Sequence, residues 1–503
     1  MPQSPLYGAI DLGSNSFHML VVRQVHGAIR IVSKVKRKVR LASGLDENNL
    51  LSREAMERGW DCLRLFSEQL QDVPSENIRI VGTATLRIAK NADVFVRVAE
   101  EILGHKVEVI SGLEEARTIY QGVSCTTSGS GSRLVIDIGG ASTEIILGHG
   151  NNAELLNSLQ LGCVTWYNRF FSEGTVTADS FNEAVQSASD IFREVVDDYL
   201  AIGWDLCVGA SGTVQALQEI LISQGGSERV TLDKMYQLRD LVIKCCYIDD
   251  LDIVGLLPER KKVFPSGLAI LIALFEVFGI KELLLAGGAL REGLVYGMIV
   301  STGHSDEQWF GDARVRTVES MIYRYQLDRS QGERVKDVCL HIFDGMKDEW
   351  KLDDLCRSIL ISASLLYELG LCIEYKKAPQ HASYIVENID MPGFTVPQKL
   401  LLSGLLFNQR DDFKLDALHR QHAVSYEAAC FMARILRIAI ILCIRRTEGT
   451  VPNFEFRLEK GVLKILLPKG WLASHYLRGS ELLTEVRMQT QTGWPTVAEE
   501  RQE

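Results

Sequence analysis

The chain has 503 residues, 46% of them hydrophobic and 24% charged, with a net charge of −11. That length calls for roughly three or four domains of ~100–200 residues, and the acidic balance argues against non-specific nucleic-acid binding. No apolar run reaches the ~18 residues of a membrane span, and the N-terminus lacks the basic and apolar regions of a signal peptide. A cytoplasmic protein with neither DNA nor membrane as partner is therefore expected. The eleven cysteines stand singly apart from Cys245-Cys246, and no CxxC pair occurs. They read as small buried hydrophobes rather than as a zinc or redox site.

In chain order, residues 7–42 read as a three-strand meander, with strands at 8–11, 17–24 and 29–41 and a turn at His26-Gly27. In the returning strand the even positions carry Lys34, Lys36, Lys38 and Arg40. A period of two puts these cations on one face, either as a solvated sheet face or as a guide for a polyanion. A helix follows at 52–70, a strand at 77–82, a helix beginning near Arg87, a strand at 106–110 and a helix at 113–122. Strands followed by helices indicate a mixed α/β sheet covered by helices. The second half repeats the scheme with strands at 134–138, 143–148, 206–208 and 282–286 and helices at 176–200, 214–223 and 290–300. After about residue 305, leucine-rich helical periodicity runs over 315–444. Residues 454–467 read as a hairpin around Lys460-Gly461. A helix follows from about Glu481, and the last ten or so residues read as disordered.

The chemistry is concentrated in glycine turns. Asp11 ends an apolar strand and is followed by Gly13, Ser14, Asn15 and Ser16. The device recurs 126 positions later (137 − 11), where Asp137 precedes Gly139, Gly140, Ala141, Ser142 and Thr143. Two more such turns carry Gly212-Thr213 and Gly287-Gly288. Glycine lets backbone N–H groups approach a ligand closely, which favours phosphate oxygens. Asp11 and Asp137 are oxygen ligands suited to Mg²⁺, or else turn carboxylates bonding backbone N–H groups. Glu144 follows at a spacing that could return it to the same site.

Ser111 as N-cap and Glu114 three residues on form a capping box. Glu115 is left without that structural task, in a first helical turn whose dipole favours its ionised form. A carboxylate there could orient and deprotonate a water. Arg87 and Arg291 each open a helix after a glycine turn. The dipole disfavours a cation there, which suggests that each faces an anion. Walker A, G-x-S-x-G and G-x-G-x-x-G patterns are absent.

The motifs Ala-Ile-Asp11-Leu-Gly-Ser-Asn-Ser, Ser111-Gly-Leu-Glu-Glu-Ala-Arg, Asp137-Ile-Gly-Gly-Ala-Ser-Thr-Glu144, Gly-Ala-Ser-Gly-Thr213 and Gly-Gly-Ala-Leu-Arg291 resemble the exopolyphosphatase/guanosine pentaphosphate phosphatase family. The resemblance implies an α/β fold of duplicated actin-like, sugar-kinase-like (ribonuclease H-like) domains at 1–126 and 127–305. An all-α HD-like domain at 306–447 and a small α+β domain at 448–503 would follow. Leu161-Gly-Cys-Val-Thr-Trp166 and Phe-Pro265-Ser-Gly-Leu are more similar to the guanosine pentaphosphate branch. That branch implies removal of the 5′ terminal phosphate of guanosine pentaphosphate, Mg²⁺ as cofactor and a homodimer. It also implies Glu115 as catalytic glutamate, Asp11, Asp137 and Glu144 around the metal, and the glycine turns with Arg87 around the phosphates. Inorganic polyphosphate is the rival substrate, and a sugar-kinase-like phosphotransferase the rival class. HD-type hydrolases place a histidine where this chain has Tyr367, ahead of Glu368-Leu-Gly370. An independent metal site is therefore not expected there, and His381 reads as structural or as part of a substrate groove.

Overall fold

The computed structural model describes residues 5–25, 28–129, 131–301 and 312–501. The chain divides into two compact units, Met1–Arg316 and Thr317–Glu503. The expected turn at His26-Gly27 and the expected boundary at 305/306 lie outside the described residues.

The first unit holds two five-stranded sheets. In the first, β1 (Leu6–Leu12), β2 (Ser16–Val25) and β3 (Ala28–Lys38) form an antiparallel meander, and β4 (Ile78–Gly82) and β5 (Val107–Val109) extend it in parallel. The second contains β6 (Ser132–Ile138), β7 (Thr143–His149), β8 (Asn152–Leu159), β9 (Leu206–Gly209) and β10 (Leu284–Leu285). The spatial orders are β3-β2-β1-β4-β5 and β8-β7-β6-β9-β10, one topology used twice. Strand β8 was not expected from sequence. None of its residues is fully buried, so it lacks a clear apolar alternation.

The central strands are apolar on both faces because both faces are covered. One face of the first sheet, with Ile10, Leu12, Phe17 and Met19, packs with residues of the helices Arg53–Leu70 and Ala92–Leu103. Its other face, with Tyr7, Ala9, Leu20 and Val22, shares a core with Val135, Ile146 and Val208 of the second sheet and with the helices Gly112–Thr126 and Leu290–Ser301. Those two helices cross at glycines. A Cβ on Gly122 would lie 2.0 Å from the Ala289 carbonyl oxygen, and one on Gly293 would lie 1.9 Å from that of Thr118. The last helix of the second half is thereby set directly against the helix that carries Glu115.

In the second unit the helices Arg329–Met346, Asp354–Leu366, Val396–Phe407 and Tyr426–Leu442 share one core with Leu463, Ile465 and Leu467 of the C-terminal sheet. The stretch Asp354–Cys372 is long and apolar enough to cross a membrane by length and composition, although Arg357 and Glu368 interrupt its apolar run. Of its most apolar window, 56% is buried. The hairpin β11 (Glu455–Glu459) and β12 (Val462–Leu467) turns at Lys460-Gly461 as expected, both with positive φ.

Two terminal expectations are corrected. The helix Tyr476–Gln491 starts before Glu481, and within the last ten residues β13 (Thr496–Glu500) forms and pairs in parallel with β12. Arg434 anchors this strand, donating to Gln489 Oε1 (2.9 Å) and to Thr496 Oγ1 (3.2 Å) in the core. Glu368 is engaged by the Arg446 guanidinium and the Tyr367 hydroxyl, and His381 Nε2 lies 3.6 Å from Glu374 Oε1.

Candidate active site

Antiparallel register places Asp11 opposite His18 across β1 and β2, and Asp137 opposite Glu144 across β6 and β7. Each partner lies seven residues on, so the duplication extends to the site. The loops between the strands approach one another. A Cβ on Gly140 would be 3.0 Å from Ser14 Cβ. Their carbonyls are tied back: Arg40 N and Ala42 N donate to Asn15 O and Ser14 O, and Cys163 N and Val164 N donate to Gly139 O and Gly140 O. Negative oxygen ends are thus turned away from a ligand that the loops would hold by N–H groups.

A cavity of about 620 Å³ opens at these loops. The first loop contributes Gly13, Ser14, Asn15 and Ser16. The second contributes Gly139, Gly140 and Ser142, and the third and fourth contribute Gly212-Thr213 and Gly287-Gly288. Asp11, Glu115, Asp137 and Glu144 line it together with the cations Lys34, Lys36, Arg260 and Arg291. Ala141, at 5% exposure, is buried away from the lining.

Burial dominates the titration of the acids. It raises Asp11 to about 7, helped by the Glu115 and Asp137 charges and opposed by Arg291. Asp137 is likewise raised to about 7 by burial and by Glu115. Glu144 is raised well above its ordinary value by burial and by the Glu115 and Asp137 charges, countered by Ser142 and by Ser158, which donates to its Oε1 at 2.8 Å. Asp11 Oδ1 is buried with no hydrogen-bond partner. His18 is pushed down to about 2 by burial and by the Arg291 and lysine charges, so its imidazole is neutral, with a buried, unpaired Nδ1. Lys36 is lowered to about 8 by burial and by Arg260 and Arg291.

Glu115 sits in the first turn of Gly112–Thr126, behind a Ser111 cap whose Oγ accepts from Glu114 N at 3.1 Å. The capping box forms only by that half, since the Glu114 carboxylate lies 3.8 Å from Arg79. The direction of shift expected from the helix dipole is reversed. Burial raises Glu115, and Arg87 opposes the rise.

Arg87 itself is a correction. It lies in the last turn of the short helix Ala84–Ile88, not at a helix start, so the dipole favours the cation there. Its Nη1 donates to Glu115 Oε2 (2.6 Å) and to the Ile110 carbonyl (3.1 Å). It meets the cavity through Glu115 instead of lining it.

The basic stripe is also broken. Lys34 and Lys36 line the cavity, whereas Lys38 Nζ donates to the Glu259 carbonyl at 3.3 Å. Arg40 lies beyond β3, exposed, with φ of 53°. Sequence reasoning missed Arg260, whose guanidinium lies where a Cβ on Gly212 would be, 2.0 Å from its Nη1. The run Arg260-Lys261-Lys262 was the available signal. It also assigned no role to His18, whose signal was its seven-residue spacing from Asp11.

Residues 20–302 match the Ppx/GppA phosphatase family and residues 313–486 match Ppx/GppA phosphatase domain III. The chain belongs to the Ppx/GppA phosphatase family. A guanosine-5′-triphosphate,3′-diphosphate pyrophosphatase of Aeromonas hydrophila is 60% identical over 497 residues, 99% of each chain. The protein of that name from Aeromonas salmonicida is 59% identical, also over 99% of each chain. Among solved structures, an Aquifex aeolicus member of the Ppx/GppA family matches with a TM-score of 0.52 at 23% identity, covering 60% of this chain and 99% of that one. An exopolyphosphatase from Cytophaga hutchinsonii matches with a TM-score of 0.54 at 23% identity, over 59% and 98%. These two share the duplicated α/β fold expected from the sequence.

In this Ppx/GppA chain, N–H-bearing loops and four cations meet a group of buried acids. The loops and cations suit phosphate oxygens, and one acid, Glu115, is clamped in orientation by an arginine.

Proposed function

We infer that this chain is a phosphoanhydride hydrolase that removes the 5′ terminal phosphate of guanosine pentaphosphate. Full-length relatives at about 60% identity bear the corresponding name. The observation that carries the reading is the Arg87-clamped Glu115 carboxylate lining a cavity floored by paired phosphate loops. The loop N–H groups, Lys36, Arg260 and Arg291 grip the phosphates. Glu115 accepts a proton from a water whose oxygen bonds to the terminal phosphorus while the phosphoanhydride bond to the departing guanosine tetraphosphate breaks, so catalysis is positioning plus electrostatics.

Among the described residues no group of three or more His, Cys, Asp or Glu is arranged to hold a metal by itself. Mg²⁺ needs only one or two carboxylates when phosphate oxygens and water complete its shell. Asp11 and Asp137 fit that role, because both are buried hard-oxygen donors and Asp11 Oδ1 lacks a partner. Bound there, the ion would neutralise phosphate charge. Glu144 lines the same cavity, with its Oε1 accepting from Ser158.

The reading is tested by phosphate release from guanosine pentaphosphate and from polyphosphate, with and without Mg²⁺. Glu115→Gln should retain substrate binding in calorimetry and lose about 10²–10⁴ in turnover. Undiminished turnover in that variant removes Glu115 from the mechanism, and absence of phosphate release from guanosine pentaphosphate removes the function.

A further inference from the structure

The third phosphate loop continues into the helix Gly212–Ser223. Gly212, Gln215, Ala216 and Glu219 of this helix all line the cavity. Their spacing of i, i+3, i+4 and i+7 makes one helix face. The wall therefore begins at the phosphate-binding end, where the Arg260 guanidinium lies over Gly212. It runs two turns outward, and at 1.5 Å per residue Glu219 lies about 10 Å along the axis from Gly212.

A carboxylate at that point is out of keeping with a cleft for bare polyphosphate, whose every unit it would repel. No cation is paired with it among the described residues. Its one fixed partner is an amide: Gln215 Nε2 donates to Glu219 Oε1 at 2.9 Å. That bond orients the carboxylate and leaves Oε2 and further lone pairs of Oε1 free. Leu257, which is 45% exposed, adds apolar surface to the same cavity.

A nucleotide held by its phosphates at the Gly212 end brings its base to this part of the wall. Guanine carries N1–H and the 2-amino group on one edge, two donors matched to the two oxygens of a carboxylate. Adenine offers no such pair. We propose that Glu219, braced by Gln215, reads the guanine base and sets nucleotide specificity. The assignment rests on the phosphohydrolase reading above and extends it from the reacting phosphate to the far end of the substrate.

The test compares kcat/KM for guanosine pentaphosphate with that for its adenosine counterpart, in wild type, Glu219→Gln and Glu219→Ala, with circular dichroism melting as the fold check. Removing a charged hydrogen-bond partner should lower the guanosine-over-adenosine ratio at least tenfold, through the KM for the guanosine substrate. A ratio unchanged from wild type, or equal losses on both substrates, overturns the assignment of Glu219 alone. A wild-type enzyme that releases no phosphate from guanosine pentaphosphate overturns the phosphohydrolase reading, and this one with it.

Discussion

Arg87 Nη1 lies 2.6 Å from Glu115 Oε2 and 3.1 Å from the Ile110 carbonyl, so one guanidinium ties a buried carboxylate to the chain just ahead of its own helix. This contact does two things for Glu115. It fixes the direction of the carboxylate, and it opposes the rise in pKa that burial imposes.

Arg87→Ala should therefore reduce kcat by roughly ten- to a hundredfold while the fold is kept, since orientation and ionisation are both lost. The sign of the pH effect follows from the charge. Without the guanidinium the Glu115 pKa rises further, so the acid limb of the kcat/KM profile moves to higher pH. Arg87→Lys keeps the charge but not the planar guanidinium whose Nη1 reaches both Glu115 and Ile110, and should restore the limb more fully than the rate. A variant whose profile coincides with wild type would show that Arg87 does not set the state of Glu115.

Asp11 and Asp137 are both raised to about 7, from 3.8 in an unfolded chain, chiefly by burial. With the folded value above the unfolded one, their stabilising contribution is complete below the unfolded value and is lost as pH rises through about 7. In a chelator, Tm should fall between about pH 5 and about pH 8 more steeply for wild type than for Asp137→Asn. Added Mg²⁺ should raise Tm more at the alkaline end, where two carboxylates are ready to receive it. Parallel profiles for wild type and Asp137→Asn would mean that these acids are not buried together as charges.

The crossing of Gly112–Thr126 with Leu290–Ser301 holds the Glu115 helix in place. Gly122→Ala drives a methyl to within 2.0 Å of the Ala289 carbonyl oxygen, so the helices must separate. A cost of about 1–3 kcal/mol is expected, with a lower kcat because Glu115 rides on the displaced helix. Gly297→Ala is the control on the facing helix. Its nearest neighbour would be Gln121 Oε1 at 3.5 Å, an ordinary contact, and replacing a helical glycine should be neutral to stabilising. Equal melting temperatures for the two variants would refute the close crossing.

Much of this site was legible because its signals are local. A strand, one aspartate, a glycine and hydroxyls within about nine residues specify each of the first two phosphate loops, and a capped helix start locates Glu115. What was not legible depends on distant partners. Nothing near Thr496 announces a strand, because the anchor is Arg434, far away in sequence. Arg87 was placed at the wrong end of a helix because that helix has only five residues, too short for periodicity to orient. Burial of Glu115 overrides its dipole, and burial is a property of the packed unit. The stripe of Lys34 and Lys36 followed a period of two until β3 ended at Lys38, and Arg40 left it there.

The second unit offers a test of what a buried ion pair contributes. Arg437 makes three bonds of 2.6–2.9 Å to the Glu485 carboxylate and a fourth of 2.8 Å to the Asn408 carbonyl, with both side chains 2% exposed. The pair joins the helix Tyr426–Leu442 to the helix Tyr476–Gln491. Removing one partner strands the other charge in the core, so Arg437→Ala and Glu485→Ala should each cost about 3–5 kcal/mol by denaturant unfolding of the full chain. Replacing both by apolar residues removes both desolvation penalties together. Arg437→Met with Glu485→Leu should recover most of that loss, limited by the Asn408 carbonyl left without its donor, at about 1–3 kcal/mol. A double variant as unstable as the sum of the single ones would show that the two side chains are not coupled, so that the loss in each single variant does not come from stranding the other charge.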